Sequence, residues 1–326
     1  MNLADVWFVI IAVFWTGFFV LEGFDFGVGV LHTVVGRTDD ERRVAINSIG
    51  PFWDGNEVWL VVAGASMFAA FPAWYATMFS GLYLALLLAL AALIARGVAF
   101  EFRGKLEAPR WRRGWTWATT LGSAAIPLIL GIGLGDLVAG LPVGADGEYS
   151  GSFADIFTAY GVWVGVTLLA LSVLHGAAFL ALKTHGRVRL RARVLGVKLA
   201  LAAAAVTIVF AVWSPSVWSA LAPVAVLAAA VLLRSGREGW AFTATAVAMA
   251  VAVGSLFADL YPNVLVSSTD AAYTLTVSGA ASGSYALKVM SVAAVVLVPL
   301  VLLYQAWSYR VFRARVGPPS RSHESA

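Results

Sequence analysis

The sequence contains no cysteine, which excludes disulfide bonds, iron–sulfur clusters and thiolate ligands for haem or zinc. Charge is also scarce, because Asp, Glu, Lys and Arg make up only 12% of the 326 residues, whereas hydrophobic residues make up 60%. Several apolar runs reach the ~20 residues that a helix needs to cross a bilayer. This composition is typical of a multi-span membrane protein.

Basic residues are also lacking in the N-terminal stretch. The first ten residues, MNLADVWFVI, contain Asp5 and no basic residue before the apolar stretch. We therefore expect the first helix to be retained rather than removed as a signal peptide. The net charge of +4 arises mainly from connectors between apolar runs. That placement favours contact with the lipid bilayer and indicates no nucleic-acid partner.

The apolar runs and their breakers predict an all-α integral membrane fold with nine transmembrane helices. The predicted helices are 6–35, 54–72, 75–103, 115–139, 156–184, 194–213, 217–233, 240–260 and 284–313. Nearly all Lys and Arg lie in alternate connectors and in the C-terminal tail. By the positive-inside rule, the N-terminus is outside and the C-terminus is cytoplasmic. No connector is long enough for a soluble catalytic domain.

Two similar segments indicate an internal repeat. VLEGFDF at 20–26 and VLHGAAF at 173–179 are each followed by Gly-Arg and a basic connector. The repeat predicts two four-helix bundles, at 1–140 and 141–262, with the ninth helix and the cytoplasmic tail at 263–326 as a peripheral element.

The two copies differ in their ionisable residues. Glu22 aligns with His175 and Asp25 with Ala178, so we expect acid chemistry only in the first bundle. Beside these acids, Gly27 follows Gly23 by four residues, a spacing of small residues that favours close helix contact.

Ionisable side chains are predicted to gather at one depth in the cytoplasmic half of the membrane, where each costs ~2.5–3.5 kcal/mol unless it finds a partner. They are Glu22 and Asp25 on the first helix, Asp54 and Glu57 at the start of the second, and Arg96 on the third, with Glu101 and Arg103 just beyond. One arginine cannot neutralise four acids. The excess indicates protonated acids or compensation by a partner subunit, and both suit proton handling.

Structural interpretations of the same residues stay open. The segment DGNE at 54–57 fits a capping box with Asp54 as N-cap. Glu22 and Arg96 fit a buried ion pair that fixes helix packing. Trp53 and Trp59 fit the aromatic belt at a membrane interface.

The histidines do not form the pairs that haem sites in helical bundles need. His175 lies at mid-membrane depth, where a lone histidine is more often hydrogen-bonded than bound to metal. His32, His185 and His323 are predicted near the cytoplasmic surface. We expect no haem and no metal in this chain. Near the outer face, the predicted helix ends carry Asp136 and Asp259, which we interpret as solvated.

Four segments resemble subunit II of the cytochrome bd quinol oxidase family. They are LEGFDFGVGVL at 21–31, NSIGPFWDGNEVWLVVAGASMFAAFPAWYATMFSGLYLAL at 47–86, ARGVAFEFRGK at 95–105 and YQAWSYRVF at 304–312. The resemblance implies a bacterial membrane heterodimer that oxidises quinol and reduces dioxygen to water. In that family, subunit I binds two b-type haems and haem d, whereas subunit II binds none and supports the complex.

The resemblance also implies a proton-uptake path from the cytoplasm. Together with the predicted cluster, it gives a path of Asp54, Asp25, Glu57 and Glu22, supported by Trp53, Asn56, Trp59, Arg96, Glu101 and Arg103, and no catalytic residue in this chain. Beyond subunit I, the expected partners are the quinol pool, with menaquinol favoured by the GC-rich character of the sequence, and a small single-span accessory subunit. The alternatives are a proton-coupled secondary transporter and a purely structural subunit.

Overall fold

The computed structural model describes residues 2–214 and 216–317, so His323 lies outside the described residues. The chain is almost entirely helical. Its helices are α1 (Leu3–Val35), α2 (Asp39–Ile49), α3 (Trp53–Ala70), α4 (Pro72–Gly81), α5 (Tyr83–Phe102), α6 (Pro109–Ala139), α7 (Ala159–Lys183), α8 (Gly186–Trp213), α9 (Leu221–Arg234), α10 (Glu238–Leu260), α11 (Val277–Ala280) and α12 (Ser284–Val311). Two short antiparallel strands, β1 (Asn263–Leu265) and β2 (Leu275–Thr276), complete the fold.

Eight helices in the described ranges are long and apolar enough to cross a membrane. They are α1, α5, α6, α7, α8, α9 with the turn before it, α10 and α12. The second predicted span is present as α3, but the polar sequence WDGNE in its first turns separates it in composition from the other eight. The protein is therefore a multi-span helical membrane protein, and the ninth pass stays a prediction.

The connector predicted after the first helix contains a helix of its own, α2. The Thr38 hydroxyl accepts a hydrogen bond from the Glu41 backbone N–H, and the Glu41 carboxylate accepts one from the Thr38 N–H, both at 3.3 Å. This capping box starts α2, which buries Val44, Ala45 and Ile49 at the end of α1. The apolar runs did not predict a helix in this connector.

Several predicted helix boundaries also differ from the structure. The helix predicted at 75–103 begins at Pro72 and is divided at Leu82 into α4 and α5. Both α6 and α8 begin before their apolar runs, at Pro109 and Gly186, because their first turns are rich in arginine, which is a good helix former.

The helices pack around α7, which contacts α1, α6, α8 and α10. A ring of neighbours runs from α7 through α8 and α9 to α10, whereas α1 packs against α3 and α6, and α5 packs against α6. The last long helix, α12, lies at the edge, and Leu287 is its one fully buried residue within the described part of the chain. Because α1 and α6 both pack on α7, the division into bundles at residue 140 stays a prediction.

The repeated motifs meet where α1 crosses α7. A Cβ atom built on Gly27 would lie 2.0 Å from the Ser172 carbonyl oxygen, and one built on Gly176 would lie 2.4 Å from the Gly27 carbonyl carbon. No side chain fits between the two backbones at this crossing. The predicted close contact through Gly27 is confirmed.

The basic connectors gather at one end of the molecule. Arg191 at the start of α8 donates hydrogen bonds to the Val35 carbonyl at 2.9 Å and to Glu41 at 2.6 Å. Arg189 binds Glu238 at 2.7 Å, and Arg315 lies 3.7 Å from the same carboxylate. These ion pairs tie the ends of α1, α8 and α12 to the start of α10.

The opposite end is closed by two long connectors. Gly140, with a φ of 103°, ends α6 in a conformation that favours glycine. The next residue, Leu141, donates to the Val266 carbonyl and accepts from the Ser268 N–H, both at 2.9 Å. The connector after α6 is thereby attached to the connector that carries β1 and β2.

Candidate functional site

Two acids of α1 form the centre of the site. Glu22 and Asp25 lie three residues apart, so they share one face of the helix, and both are fully buried. The neighbouring helices α3 and α6 pack against α1, while α5 packs against α6 and carries Arg96 inward. Of the acids predicted at this depth, Glu22 and Glu57 lie within 4.0 Å of Arg96.

Arg96 is the basic partner in this site. Its Nη1 atom lies 2.5 Å from Glu22 Oε1 and 3.8 Å from Glu57 Oε2. The guanidinium also faces the rings of Phe26 and Phe100, with its central carbon 4.9 and 5.1 Å from their centroids. Both Arg96 and Glu22 are fully buried, so each depends on the other for charge compensation.

Asp25 is held by a separate hydrogen-bond network around Asn56. The Asn56 amide nitrogen donates to Asp25 Oδ2 at 2.7 Å and to the Leu21 carbonyl at 2.9 Å. The Asn56 amide oxygen accepts from Gln305 Nε2 at 2.8 Å and from the Tyr309 hydroxyl at 3.1 Å. One amide therefore joins α1, α3 and α12.

Gln305 and Tyr309 were missed as site residues by the sequence analysis. The signal was present, because Gln305 interrupts an apolar run and both residues belong to the segment YQAWSYRVF. What the sequence could not give is the partner across the interface, since α12 follows α3 by more than two hundred residues.

The two acids at the start of α3 are more exposed to solvent than Glu22 of α1. Asp54 is exposed, Glu57 keeps 26% of its side chain accessible, and Glu22 is fully buried. The predicted capping box is wrong, because α3 begins at Trp53 with Phe52 as its N-cap and without a side-chain cap. Asp54 still lies in the first turn, where the helix dipole favours a negative charge.

Two residues predicted beside the cluster lie apart from it. Glu101 is exposed and forms no ion pair within the described residues. Arg103 instead binds Asp39 of α2, and its Nε donates to the Thr116 hydroxyl at 3.0 Å. Of the three predicted residues Arg96, Glu101 and Arg103, Arg96 is therefore the one that contacts the acidic cluster.

The tryptophans of the site pack against its helices. The Trp53 ring meets Phe100 at 5.2 Å, which covers the side of Arg96. Trp59 lies against α1, since a Cβ on Gly17 would be 2.6 Å from its ring, and its Nε1 donates to Gln305 at 3.2 Å. Both side chains are half-buried and help to position the cluster.

Several buried polar atoms of the site have no hydrogen-bond partner among the described residues. Within the described residues, hydrogen-bond partners are lacking for Glu22 Oε2, Asp25 Oδ1, Glu57 Oε2, Arg96 Nε and Arg96 Nη2. Buried polar groups are normally satisfied by protein or ordered water. A site with this many open positions is suited to water or to groups of a neighbouring subunit.

The two buried histidines differ in how their ring nitrogens are hydrogen-bonded. Both ring nitrogens of His175 are hydrogen-bonded, Nδ1 to the Thr245 hydroxyl at 2.7 Å and Nε2 to the Val20 carbonyl at 3.1 Å. His32 is also fully buried, and its Nδ1 bonds to the Gly29 carbonyl at 2.7 Å, whereas its Nε2 has no hydrogen-bond partner among the described residues. The described residues form no group of three potential metal ligands.

The outer acids differ from their predicted environment. Asp136 is fully buried and accepts a hydrogen bond from the Thr158 hydroxyl at 2.5 Å. Asp259 is half-buried and accepts one from Ser214, also at 2.5 Å. The interpretation of Asp136 as a solvated helix end was wrong, because the connector before α7 covers it.

Comparison with known proteins identifies related chains. The family model described as cytochrome bd terminal oxidase subunit II matches residues 3–312. Cytochrome bd ubiquinol oxidase subunit 2 of Bacillus subtilis (strain 168) is 44% identical over 328 residues, which cover 97% of each chain. Cytochrome bd-I ubiquinol oxidase subunit 2 of Escherichia coli (strain K12) is 35% identical over 353 residues, which cover 94% of this chain and 93% of the relative.

A solved structure has the same fold. A chain of the bd oxidase from Geobacillus thermodenitrificans superposes with a TM-score of 0.77, covering 96% of this chain and 99% of that chain. Its sequence identity of 20% is low, so this match concerns the arrangement of the helices.

Proposed function

The chain belongs to the family of subunit II of the cytochrome bd terminal oxidases, and from this premise we propose that its buried acids form part of a proton-uptake path. It is a subunit of an oxidoreductase complex in a bacterial membrane. The partner is a haem-bearing subunit I, and the complex oxidises a quinol, with menaquinol as our expectation. In this proposal the chain binds no haem, a small accessory subunit joins the complex, and nine passes place the N-terminus outside.

The graded exposure from Asp54 through Glu57 to Glu22 carries the proposal. Reduction of dioxygen to water consumes protons, and oxidation of the quinol supplies the electrons for it. Protons that come from the cytoplasm must cross part of the bilayer, where carboxylates and water are the usual carriers. A series of acids that starts exposed and ends buried has the form that such transfer requires.

The contacts assign a role to each residue. Asp54 and Glu57 lie one turn apart on the same face of α3 and form the entrance. Arg96 lies within 4.0 Å of both Glu57 and Glu22, so its charge links the entrance to the buried acid. Asn56 orients Asp25, whose second oxygen has no hydrogen-bond partner in the described chain.

The test is turnover of the assembled complex with the entrance acids neutralised. Glu57→Gln and Asp54→Asn should each lower dioxygen consumption per haem d by roughly tenfold, because a positioned proton carrier is lost. Glu107→Gln is the matched control, since this acid lies at the same end of the molecule with 98% of its side chain exposed. Unchanged turnover per haem d in both entrance variants would refute the proposal.

A purely structural role is the alternative that this experiment separates. In that case the variants would lower the amount of assembled complex while the turnover of each complex stayed normal. A transporter would instead show substrate-dependent flux in vesicles that contain this chain without its partner.

A further inference from the structure

A second polar site lies apart from the acidic cluster, at the end of the molecule where the basic connectors gather. It is a cavity of about 500 Å³ between α1, α2, the end of α5 and the start of α6. Its wall includes Asp39, Arg42, Arg103, Arg112, Arg113 and Thr116. None of these residues takes part in the proposed proton path.

The cavity wall carries four arginines and one acid. Asp39 accepts a hydrogen bond from Arg103, whose side chain is only 6% exposed. The other carboxylate oxygen of Asp39 lies 3.3 Å from Arg112 Nη1. Its partial burial opposes ionisation, but the hydrogen bond and charge of Arg103 hold the pKa of Asp39 below its ordinary value of 3.8. A single carboxylate cannot occupy the N–H donors of these guanidinium groups, each of which has five.

The nearby acid Glu107 has little effect on the net charge of the cavity. It lies 4.0 Å from Arg112 and is almost fully exposed, so water screens it. Arg113 has no ion-pair partner among the described residues, and Arg42 uses its Nε to bond the Gly36 carbonyl at 3.1 Å. The cavity therefore keeps a net positive charge with free, directed donors.

One side of the cavity adjoins exposed apolar side chains of α6. Trp117 lines it and has 58% of its surface exposed, and Leu121 is exposed one turn further along α6. From this point α6 continues as an apolar membrane-spanning helix. Tryptophan is enriched where hydrocarbon meets the headgroup layer, so the mouth of the cavity lies at that level.

We propose that this cavity binds the phosphodiester headgroup of an anionic phospholipid, with acyl chains lying on the exposed apolar surface of α6. Arginine forks match phosphate oxygens in bidentate geometry, and basic pockets between membrane helices suit such headgroups. The adjoining apolar surface favours a lipid over a soluble phosphate, because the acyl chains add buried apolar area.

Native mass spectrometry of the complete oxidase complex tests the proposal. Binding of phosphatidylglycerol, of phosphatidylcholine and of inorganic phosphate is titrated separately. Arg113→Gln should weaken phosphatidylglycerol binding by about fivefold and Arg112→Gln/Arg113→Gln by about twentyfold. Arg110→Gln is the control, because Arg110 is exposed on the same turn of α6 and does not line the cavity.

The outcomes are distinct. Preserved affinity in R110Q, together with the losses above and weak phosphatidylcholine binding, supports a headgroup site. Equal losses in R110Q and R113Q would indicate general surface attraction and overturn the proposal, as would inorganic phosphate that binds as tightly as the lipid. Because Arg113 makes no ion pair in the described chain, R113Q decides the question even if the double variant does not assemble.

Discussion

Arg96 is the residue on which the acidic cluster depends most. Arg96→Gln would remove the cationic partner of the buried Glu22 carboxyl group, so we expect a loss of about 3–5 kcal/mol of stability. The double variant E22Q/R96Q should recover part of this loss, because neither charge then remains. Thermal unfolding of the purified complex measures both effects.

The control for this pair is Arg187→Gln. Arg187 is exposed and forms no ion pair within the described residues, so its replacement should leave the unfolding temperature unchanged. A double variant less stable than R96Q alone would show that Glu22 is not stabilised through Arg96.

Glu41 makes the fold sensitive to acid. Its hydrogen bond from Arg191 at 2.6 Å lowers the pKa of Glu41 from the ordinary value of 4.5. A depressed folded pKa adds stability above pH 4.5, and this contribution is lost as the pH falls towards the folded value. Glu41→Gln should therefore flatten the dependence of the unfolding temperature on pH below 4.5.

Asp40→Asn provides the comparison, since Asp40 is the preceding residue, is exposed and forms no ion pair in the described chain. The pH profile of this variant should follow that of the unmodified complex. A Glu41→Gln profile with the unmodified slope would contradict the role of the Arg191 pair.

At this scale the sequence predicted which residue types come together better than it predicted their individual partners. The rise per residue placed Glu22, Asp25 and Arg96 at one level, and the first and last of these are in contact. Helix capping was less well predicted, because Thr38 and Glu41 carry the capping-box pattern that we assigned to Asp54. Several polar patterns compete for helix starts, and backbone geometry decides among them.

The crossing of α1 and α7 brings together the two helices that carry the repeated sequence motifs. Gly27→Ala should disrupt assembly, because the added methyl group would lie 2.0 Å from the Ser172 carbonyl oxygen. Gly254→Ala on α10 has open space around it and should be neutral or slightly stabilising. The yield and unfolding temperature of the complex distinguish the two, and equal behaviour would contradict the close packing.

The peripheral helix α12 is attached through the Asn56 network. Tyr309→Phe removes the 3.1 Å hydrogen bond to Asn56, which is worth about 1 kcal/mol, so amide exchange in α12 should become about fivefold faster. Tyr304→Phe on the exposed side of the same helix should leave exchange unchanged. Equal exchange rates in the two variants would refute the attachment.

Hydropathy predicted the long helices because apolar length is a local property of the sequence. It did not predict α2, because this helix is rich in charged residues and buries only a short apolar face that includes Val44, Ala45 and Ile49. It also did not predict the division at Leu82 or the contact of Leu141 with Val266, because both depend on neighbouring segments.

At the scale of the whole molecule, the distribution of basic residues in the sequence agrees with the positions of the ion pairs in the structure. The connectors predicted to be cytoplasmic meet at one end, where Arg191 bonds Glu41 and Arg189 bonds Glu238. Asp54, the exposed acid of the proposed path, lies in the first turn of α3. The predicted orientation in the membrane therefore gives the proposed path an entrance on the side from which protons are expected.

Proton uptake during a single turnover tests the central claim most directly. The complex is reconstituted in vesicles with a pH indicator on the side of the basic connectors, and reduced enzyme is mixed with dioxygen. We predict that Glu57→Gln slows proton uptake from that side by roughly tenfold and slows dioxygen reduction in step, whereas Glu107→Gln changes neither. Proton uptake at the unmodified rate in Glu57→Gln would contradict the account.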